Sequence, residues 1–294
     1  MTLLHPLGHP VEFESNSAEA LLVAQDSWGA WPRLFDQAPL RISIQVHDGP
    51  PPAADPRFEV FPDRLEFFCD NATEGIVNPA SRTGQIHVSR GMLAQRGRFR
   101  HVLLEAVVLT ALDAVFFTPL HAACVERNGV GVLLCGDSGA GKSTLAYACA
   151  RREWTLIADE SVHLAPAPSR TVVGGSRHIR LREPAYGLFP ELHARAAAPA
   201  PNGKLAIELD ARALGLRAAA SAGATHCVFL ARRPGPAKIA SFPGEEAVAY
   251  FLKYIAPRDC IRPERRLREF LSGDASLLSY QSAEDAVSVL DGWV

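Results

Sequence analysis

The chain has 294 residues, 48% of them hydrophobic, with 30 Lys+Arg against 32 Asp+Glu. That is enough apolar material for one large or two modest cores, and a formal net charge of -2 gives no electrostatic reason to expect a nucleic-acid partner. The six cysteines (Cys69, Cys124, Cys135, Cys149, Cys227 and Cys260) lack the C-x-x-C spacing of a metal or redox site, so they are expected as reduced core residues.

In chain order, MTLLHPLGHPVEFE carries no basic residue before Arg33 and no continuous apolar run, which argues against a signal peptide. Residues 1–95 read as a separate α+β unit. VEFES, LRISIQVH, RFEVF, RLEFFC and QIHVS have strand character, and SAEALLVAQDSW, with Ser17 placed as N-cap, suits a helix. Pro50-Pro51-Pro52 is a loop. Asp26, Asp36, Asp48, His5, His9, His47 and His87 show no mutual spacing that catalysis needs, so this unit is assigned by elimination to substrate recognition or oligomerisation.

Residues 96–294 read as a second domain. It opens on a predicted amphipathic helix, Arg98 to Phe117, with Val102, Ala106, Leu109, Leu112 and Phe116 on one face, expected to pack on the sheet of this same domain. The longest apolar stretch, Val102 to Phe117, is interrupted by Glu105 and Asp113 and is too short to span a bilayer, so a cytoplasmic protein with no membrane contact is expected. Asn128-Gly129 then lies between two apolar runs and predicts a two-residue hairpin. If Arg127 faces Val130, the register brings His121 opposite Gly136.

Gly136 opens the most informative stretch of the chain. VLLCGDSGAGKSTLA places a G-x-x-x-x-G-K-[ST] loop (Gly136, Asp137, Ser138, Gly139, Ala140, Gly141, Lys142, Ser143) between an apolar run and a helix start at Thr144. Such a loop wraps backbone N–H groups around phosphate oxygens, sends its lysine to the β- and γ-phosphates and offers its last hydroxyl to Mg²⁺. A nucleoside triphosphate, ATP or GTP, is therefore expected, with Gly136 to Thr144 as its binding residues. After a helix of Lys142 to Arg151, the strand Trp154 to Ala158 ends on Asp159 and Glu160. A carboxylate there can accept a proton from an attacking hydroxyl or hold Mg²⁺. The catalytic candidates are Asp159, His121 and Lys142, and the metal candidates are Ser143, Asp159 and Glu160.

PLHAACVERNGVGVLLCGDSGAGKSTLA followed by LIADE resembles the core of the HPr kinase/phosphorylase family, whose nucleotide-binding architecture is shared with phosphoenolpyruvate carboxykinases. The resemblance covers about His121 to Leu164. It implies an α/β P-loop domain with a mixed sheet, ATP and Mg²⁺, an acceptor protein or peptide bearing a serine, and self-association of the chain. His121 matches the family's active-site histidine and Asp159 its general base, with Glu160 where a second Asp is usual. Thr144 stands where the bacterial enzymes carry Glu, and their Gly-rich signature gives way to GGSRHIRLREPAYGLFPEL. These departures point to a divergent serine kinase with an acceptor other than HPr. A small-molecule kinase, a carboxykinase-like phosphotransferase and a non-catalytic ATP-binding regulatory module are the alternatives.

Beyond the acidic pair, His163 reads as structural, and Arg177, Arg180 and Arg182 in GSRHIRLR read as cations on one strand face that can clamp phosphate. HARAAAPAPNGK is expected as a mobile loop ending on Lys204, and THCVFLARR as a strand ending on Arg232 and Arg233, low-grade phosphate candidates. EEAVAYFLKYI, IRPERRLREFL and SAEDAVSVLDGW, the last capped by Ser282, read as helices, with SLLSYQS as a strand.

Overall fold

A computed structural model describes residues 1–70, 72–175, 178–183, 185–199, 205–255, 263–271 and 275–294. Arg177, Lys204 and Cys260 lie outside the described residues. The chain divides into two compact units, with the boundary between Phe117 and Thr118.

The first unit runs β1 (Thr2–Leu4), β2 (Val11–Ser15), α1 (Ala18–Trp28), β3 (Leu40–His47), β4 (Arg57–Val60), β5 (Leu65–Asp70), β6 (Thr73–Asn78), β7 (Thr83–Ser89), α2 (Arg90–Ala94), α3 (Arg96–Arg98) and α4 (Glu105–Val115). Among the described residues its strands form one sheet in the order β1-β2-β3-β7-β6-β5-β4. The predicted Ser17 cap is present, its side chain accepting the Ala20 N–H. Two expectations fail here. The helix after Arg98 packs on β6 and β7 of this unit, with Val107 against Gly75 and Gly84, so the division falls about twenty residues later than residue 95. Its buried face is also rotated, to Leu103, Leu104, Val107, Val108, Ala111 and Leu112, because residues 99–104 form a π-turn that shifts the phase of the helix.

The second unit runs β8 (Thr118–Leu120), β9 (Ala122–Arg127), β10 (Val130–Cys135), α5 (Lys142–Arg151), β11 (Thr155–Ala158), β12 (Val162–Leu164), β13 (Thr171–Gly174), β14 (His178–Arg182), β15 (Ala198–Pro199), β16 (Leu205–Asp210), β17 (Ser221–Arg232), β18 (Lys238–Ser241), α6 (Gly244–Tyr254), α7 (Pro263–Phe270), β19 (Ala275–Tyr280) and α8 (Ala283–Asp291). It is an α/β unit with a mixed sheet: β10 pairs antiparallel with β9 and parallel with β17, which pairs parallel with β19. The sheet is covered on both faces. Val132 and Leu134 join α5 and α8 on one side, and Leu133 and Cys135 join α6 and α7 on the other. Burial on both sides is why β10 is a continuous apolar run and not an alternating one. Four of the described cysteines, Cys124, Cys135, Cys149 and Cys227, are free and buried as expected, and Cys69 is free and half-buried. Among the described residues no helix is long and apolar enough to cross a membrane.

Candidate functional site

The hairpin forms in the expected register. Asn128 and Gly129 adopt φ of 55° and 83°, and the ladder runs from Arg127↔Val130 to Ala122↔Cys135. Both turn residues are left-handed, as a two-residue hairpin requires. His121 and Gly136 are the next pair along, so the antiparallel geometry carries the histidine to the mouth of the loop.

Between β10 and α5 the chain turns tightly, with positive φ at Gly136, Gly139 and Gly141, and the Ala140 N–H bonded to the Asp137 carbonyl at 3.0 Å. Gly141 must be glycine on two counts. Its φ is +100°, and a Cβ there would lie 2.6 Å from Tyr280 Oη, which donates to the Ala140 carbonyl at 3.1 Å. Asp137, Ser138 and Gly139 are exposed, so the outer rim of the turn is open to a ligand. Lys142, the first residue of α5, is 8% exposed. Its ammonium donates to the Gly136 carbonyl at 2.5 Å and to the Asp137 carbonyl at 3.4 Å, and it lies 3.0 Å from His121 Nε2. Burial lowers the Lys142 pKa; burial and then the Lys142 charge lower that of His121. An ammonium can only donate, so His121 Nε2 is the acceptor in this contact.

Asp159 follows β11 and is buried. The backbone N–H of Arg180 donates to its Oδ2 at 2.8 Å, while Oδ1 has no hydrogen-bond partner among the described residues. Burial pushes its pKa up to about 6, against the lowering effect of the Arg180 N–H and of the neighbouring Ser143 hydroxyl. Lys142 also senses the charges of Asp159 and of the exposed Glu160. Loop, lysine, hydroxyl and carboxylate are therefore gathered at one end of the sheet. His121 joins the group through Lys142; among the described residues no hydrogen bond links it to Asp159.

The arginine expectation needs correction. In β14 the face opposite the buried Ile179 and Leu181 carries His178, Arg180 and Arg182, and Arg177 lies outside the described residues. Arg180 acts on Asp159 chiefly through its backbone N–H and less through its charge, its guanidinium being paired with Glu208 at 2.8 Å. Arg182 reaches the loop, 3.4 Å from Ser138 Oγ. Arg232, at the end of β17, lies beside Gly141, whereas His163 is buried in β12. Sequence reasoning found α6 as a helix but missed its place at the site. Tyr250 Oη accepts the Gly136 N–H at 2.9 Å, and Lys253 and Tyr254 both donate to Asp137 Oδ1. The signal was available as Tyr250 and Tyr254 four apart on a predicted helix.

Magnesium is the metal that the loop implies, and the donors fit it. A hard cation takes oxygen ligands, and the unpartnered buried Asp159 Oδ1 beside the Ser143 hydroxyl supplies two. Among the described residues no three His, Cys, Asp or Glu side chains gather into a metal cage, so such a cation depends on ligand oxygens for the rest of its shell.

Fold and site together define an α/β unit whose mixed sheet ends a central strand in a glycine-rich turn near a buried carboxylate. Comparison with known proteins narrows the class. Residues 116–182 match the family model described as HPr Serine kinase C-terminal domain. The HPr kinase/phosphorylase of Limosilactobacillus reuteri (strain DSM 20016) is 45% identical over 60 residues, which are 20% of this chain and 19% of that protein. That of Shouchella clausii (strain KSM-K16) is 42% identical over 87 residues, 29% of this chain and 28% of that one. A solved structure, the Hpr(Ser) kinase/phosphatase from Coxiella burnetii, aligns over 60% of this chain and 95% of that one at 12% identity and a TM-score of 0.31, too loose a likeness to carry an argument. The chain thus spans only a fifth to a little over a quarter of the length of these curated relatives. Within that span residues 116–182 are HPr kinase-like.

Proposed function

We propose that this chain is an ATP-dependent serine kinase acting on a protein or peptide other than HPr. The observation that carries the reading is Asp159: a buried carboxylate with one oxygen free of partners, on the strand that follows the P-loop helix and beside Ser143. With a pKa of about 6 it is mostly ionised at neutral pH, yet basic enough to take a proton. In the proposed step the acceptor serine Oγ bonds to the γ-phosphorus as the bond from that phosphorus to the β,γ-bridging oxygen breaks. The serine proton passes to Asp159, and ADP leaves. Lys142 and the loop N–H groups stabilise the charge on the transferring group. Lys142 must first leave the carbonyls of Gly136 and Asp137, a local rearrangement that needs only its own side chain. His121 serves as the neutral acceptor that keeps the ammonium at the site. Mg²⁺, when bound by Ser143, Asp159 and Glu160, supplies neutralisation of phosphate charge.

The HPr kinase-like segment supports the kinase class, and the departures at Thr144 and in residues 174–192 support a different acceptor. The test is incubation with γ-labelled ATP, Mg²⁺ and a cell lysate, wild type against Asp159→Asn. Label on a polypeptide serine with the wild type alone is the expected result. Binding of ATP by both proteins with no polypeptide labelled would overturn it in favour of a small-molecule kinase or a nucleotide sensor.

A further inference from the structure

The β9–β10 ladder stops at Ala122↔Cys135, one pair short of His121 and Gly136. Where the next rung would be, the structure puts a side chain. Tyr250 Oη accepts the Gly136 N–H at 2.9 Å and lies 2.7 Å from the Gly136 carbonyl and 2.8 Å from the His121 carbonyl, to one of which it donates. A single hydroxyl therefore ties the two chain ends that emerge from the hairpin, one carrying the imidazole and the other opening the phosphate loop. The mount is rigid. Ala247, Val248 and Phe251 of α6 are buried in the core under the sheet, and the Tyr250 ring packs edge-on against Phe229 of β17, the strand beside β10, at 5.1 Å. One turn on, Tyr254 stacks on the His121 ring with centroids 4.3 Å apart and donates to Asp137, which also receives Lys253 Nζ at 3.0 Å. Residues 250, 253 and 254 share one helix face, so a single helix grips both functional chain ends.

We propose that Tyr250 and Tyr254 are positioning residues for phosphoryl transfer, Tyr250 setting the distance between His121 and the loop through its hydroxyl and Tyr254 orienting the imidazole through its ring. The two residues touch neither phosphate nor acceptor in this scheme; they act through Gly136, Asp137 and His121. The inference rests on the phosphoryl-transfer reading of the same site. Its physical basis is preorganisation: without the hydroxyl rung, the loop has to be ordered at the expense of binding.

The test uses the full chain with Mg·ATP as the probe, in calorimetric titrations of the wild type, Tyr250→Phe, Tyr254→Phe and Tyr254→Ala. Alongside, the His121 ring-proton resonances are followed by NMR, because stacking on Tyr254 displaces them through its ring current. Tyr250→Phe is expected to weaken Mg·ATP binding about tenfold, the loss of one well-placed hydrogen-bond node, and to shift the His121 resonances. Tyr254→Ala is expected to remove the ring-current displacement and Tyr254→Phe to retain it. A merely structural Tyr250 would lower the melting temperature and leave the affinity and the His121 resonances where they were, which would overturn the proposal. So would a Tyr254→Ala spectrum identical to that of the wild type. Tyr254 is 37% exposed, so its variants fold even if Tyr250→Phe does not. A wild type that fails to bind Mg·ATP would overturn the functional reading instead, and the NMR arm would still judge the two tyrosines.

Discussion

Replacing Asp159 by Asn should stabilise the fold at neutral pH while abolishing transfer. The carboxyl is buried, and its pKa stands at about 6 against an ordinary value near 3.8. The folded chain therefore holds this proton more tightly than the unfolded chain. The group favours folding below the ordinary carboxylate value, and that contribution is lost as the pH rises through about 6. A separation of about two pH units corresponds to about 3 kcal/mol of cost at pH 7.5, an upper figure for what a permanently neutral Asn removes. Asn keeps the acceptor for the Arg180 N–H but brings an NH₂ with no assigned acceptor, at a cost of about 1–2 kcal/mol. The net gain is about 1–2 kcal/mol, a rise in melting temperature of roughly 2–8 °C. The assay is thermal unfolding of both proteins from pH 4 to pH 8, without nucleotide or Mg²⁺. The variant should lead at pH 7.5, the gap should narrow as the pH falls below about 6, and it should have reversed by pH 4, where the folded wild type has taken up most of its proton. A variant less stable at pH 7.5, or a gap that ignores pH, would refute the claim that Asp159 is held in the fold against its own charge.

Three further expectations follow from the same geometry. The transfer rate should fall on acidification as Asp159 takes up its proton, and a pH-rate profile at saturating Mg·ATP with no acid limb attributable to Asp159 would exclude it as the proton acceptor. Gly141→Ala should cost about 1–2 kcal/mol from the left-handed φ alone, and more from its clash with Tyr280 Oη; urea unfolding of Gly141→Ala with and without Tyr280→Phe should show the second change partly relieving the first. Lys142→Met should leave the fold intact, since the buried ammonium is replaced by an apolar chain of similar length, but weaken Mg·ATP binding at least a hundredfold by calorimetry; retention of wild-type affinity would remove the loop from phosphate binding.

Much of the second unit was legible because its signals are local. Asn128-Gly129 specifies a turn by the φ values it accepts, and the register it sets placed His121 beside Gly136 with no knowledge of the fold. The glycine spacing from Gly136 to Ser143 and the capping Ser282, which accepts the Asp285 N–H at 3.1 Å, belong to the same class. Where sequence reasoning failed, the deciding contact was long-range. The helix after Arg98 is apolar nearly all round, so its period could not say which sheet it covers, and packing against Gly75 and Gly84 decided. For Arg180 the sequence offered a guanidinium, and the fold used the backbone N–H, which any residue but proline possesses.

By itself, then, the sequence determined the glycine-rich turn after β10, the hairpin that leads into it and the acidic residue that ends the next strand. Each is set by backbone preferences and by spacings of a few residues. Only the tertiary structure decided that Asp159 keeps an unpartnered oxygen beside Ser143, that His121 answers to Lys142, and that Tyr250, 114 residues after Gly136, supplies the rung that the hairpin lacks. Burial and hydrogen-bond supply are properties of the packed chain. A charge, an imidazole and a phenol acquire their roles from what the fold puts within 3 Å of them, and no local pattern in the sequence encodes that.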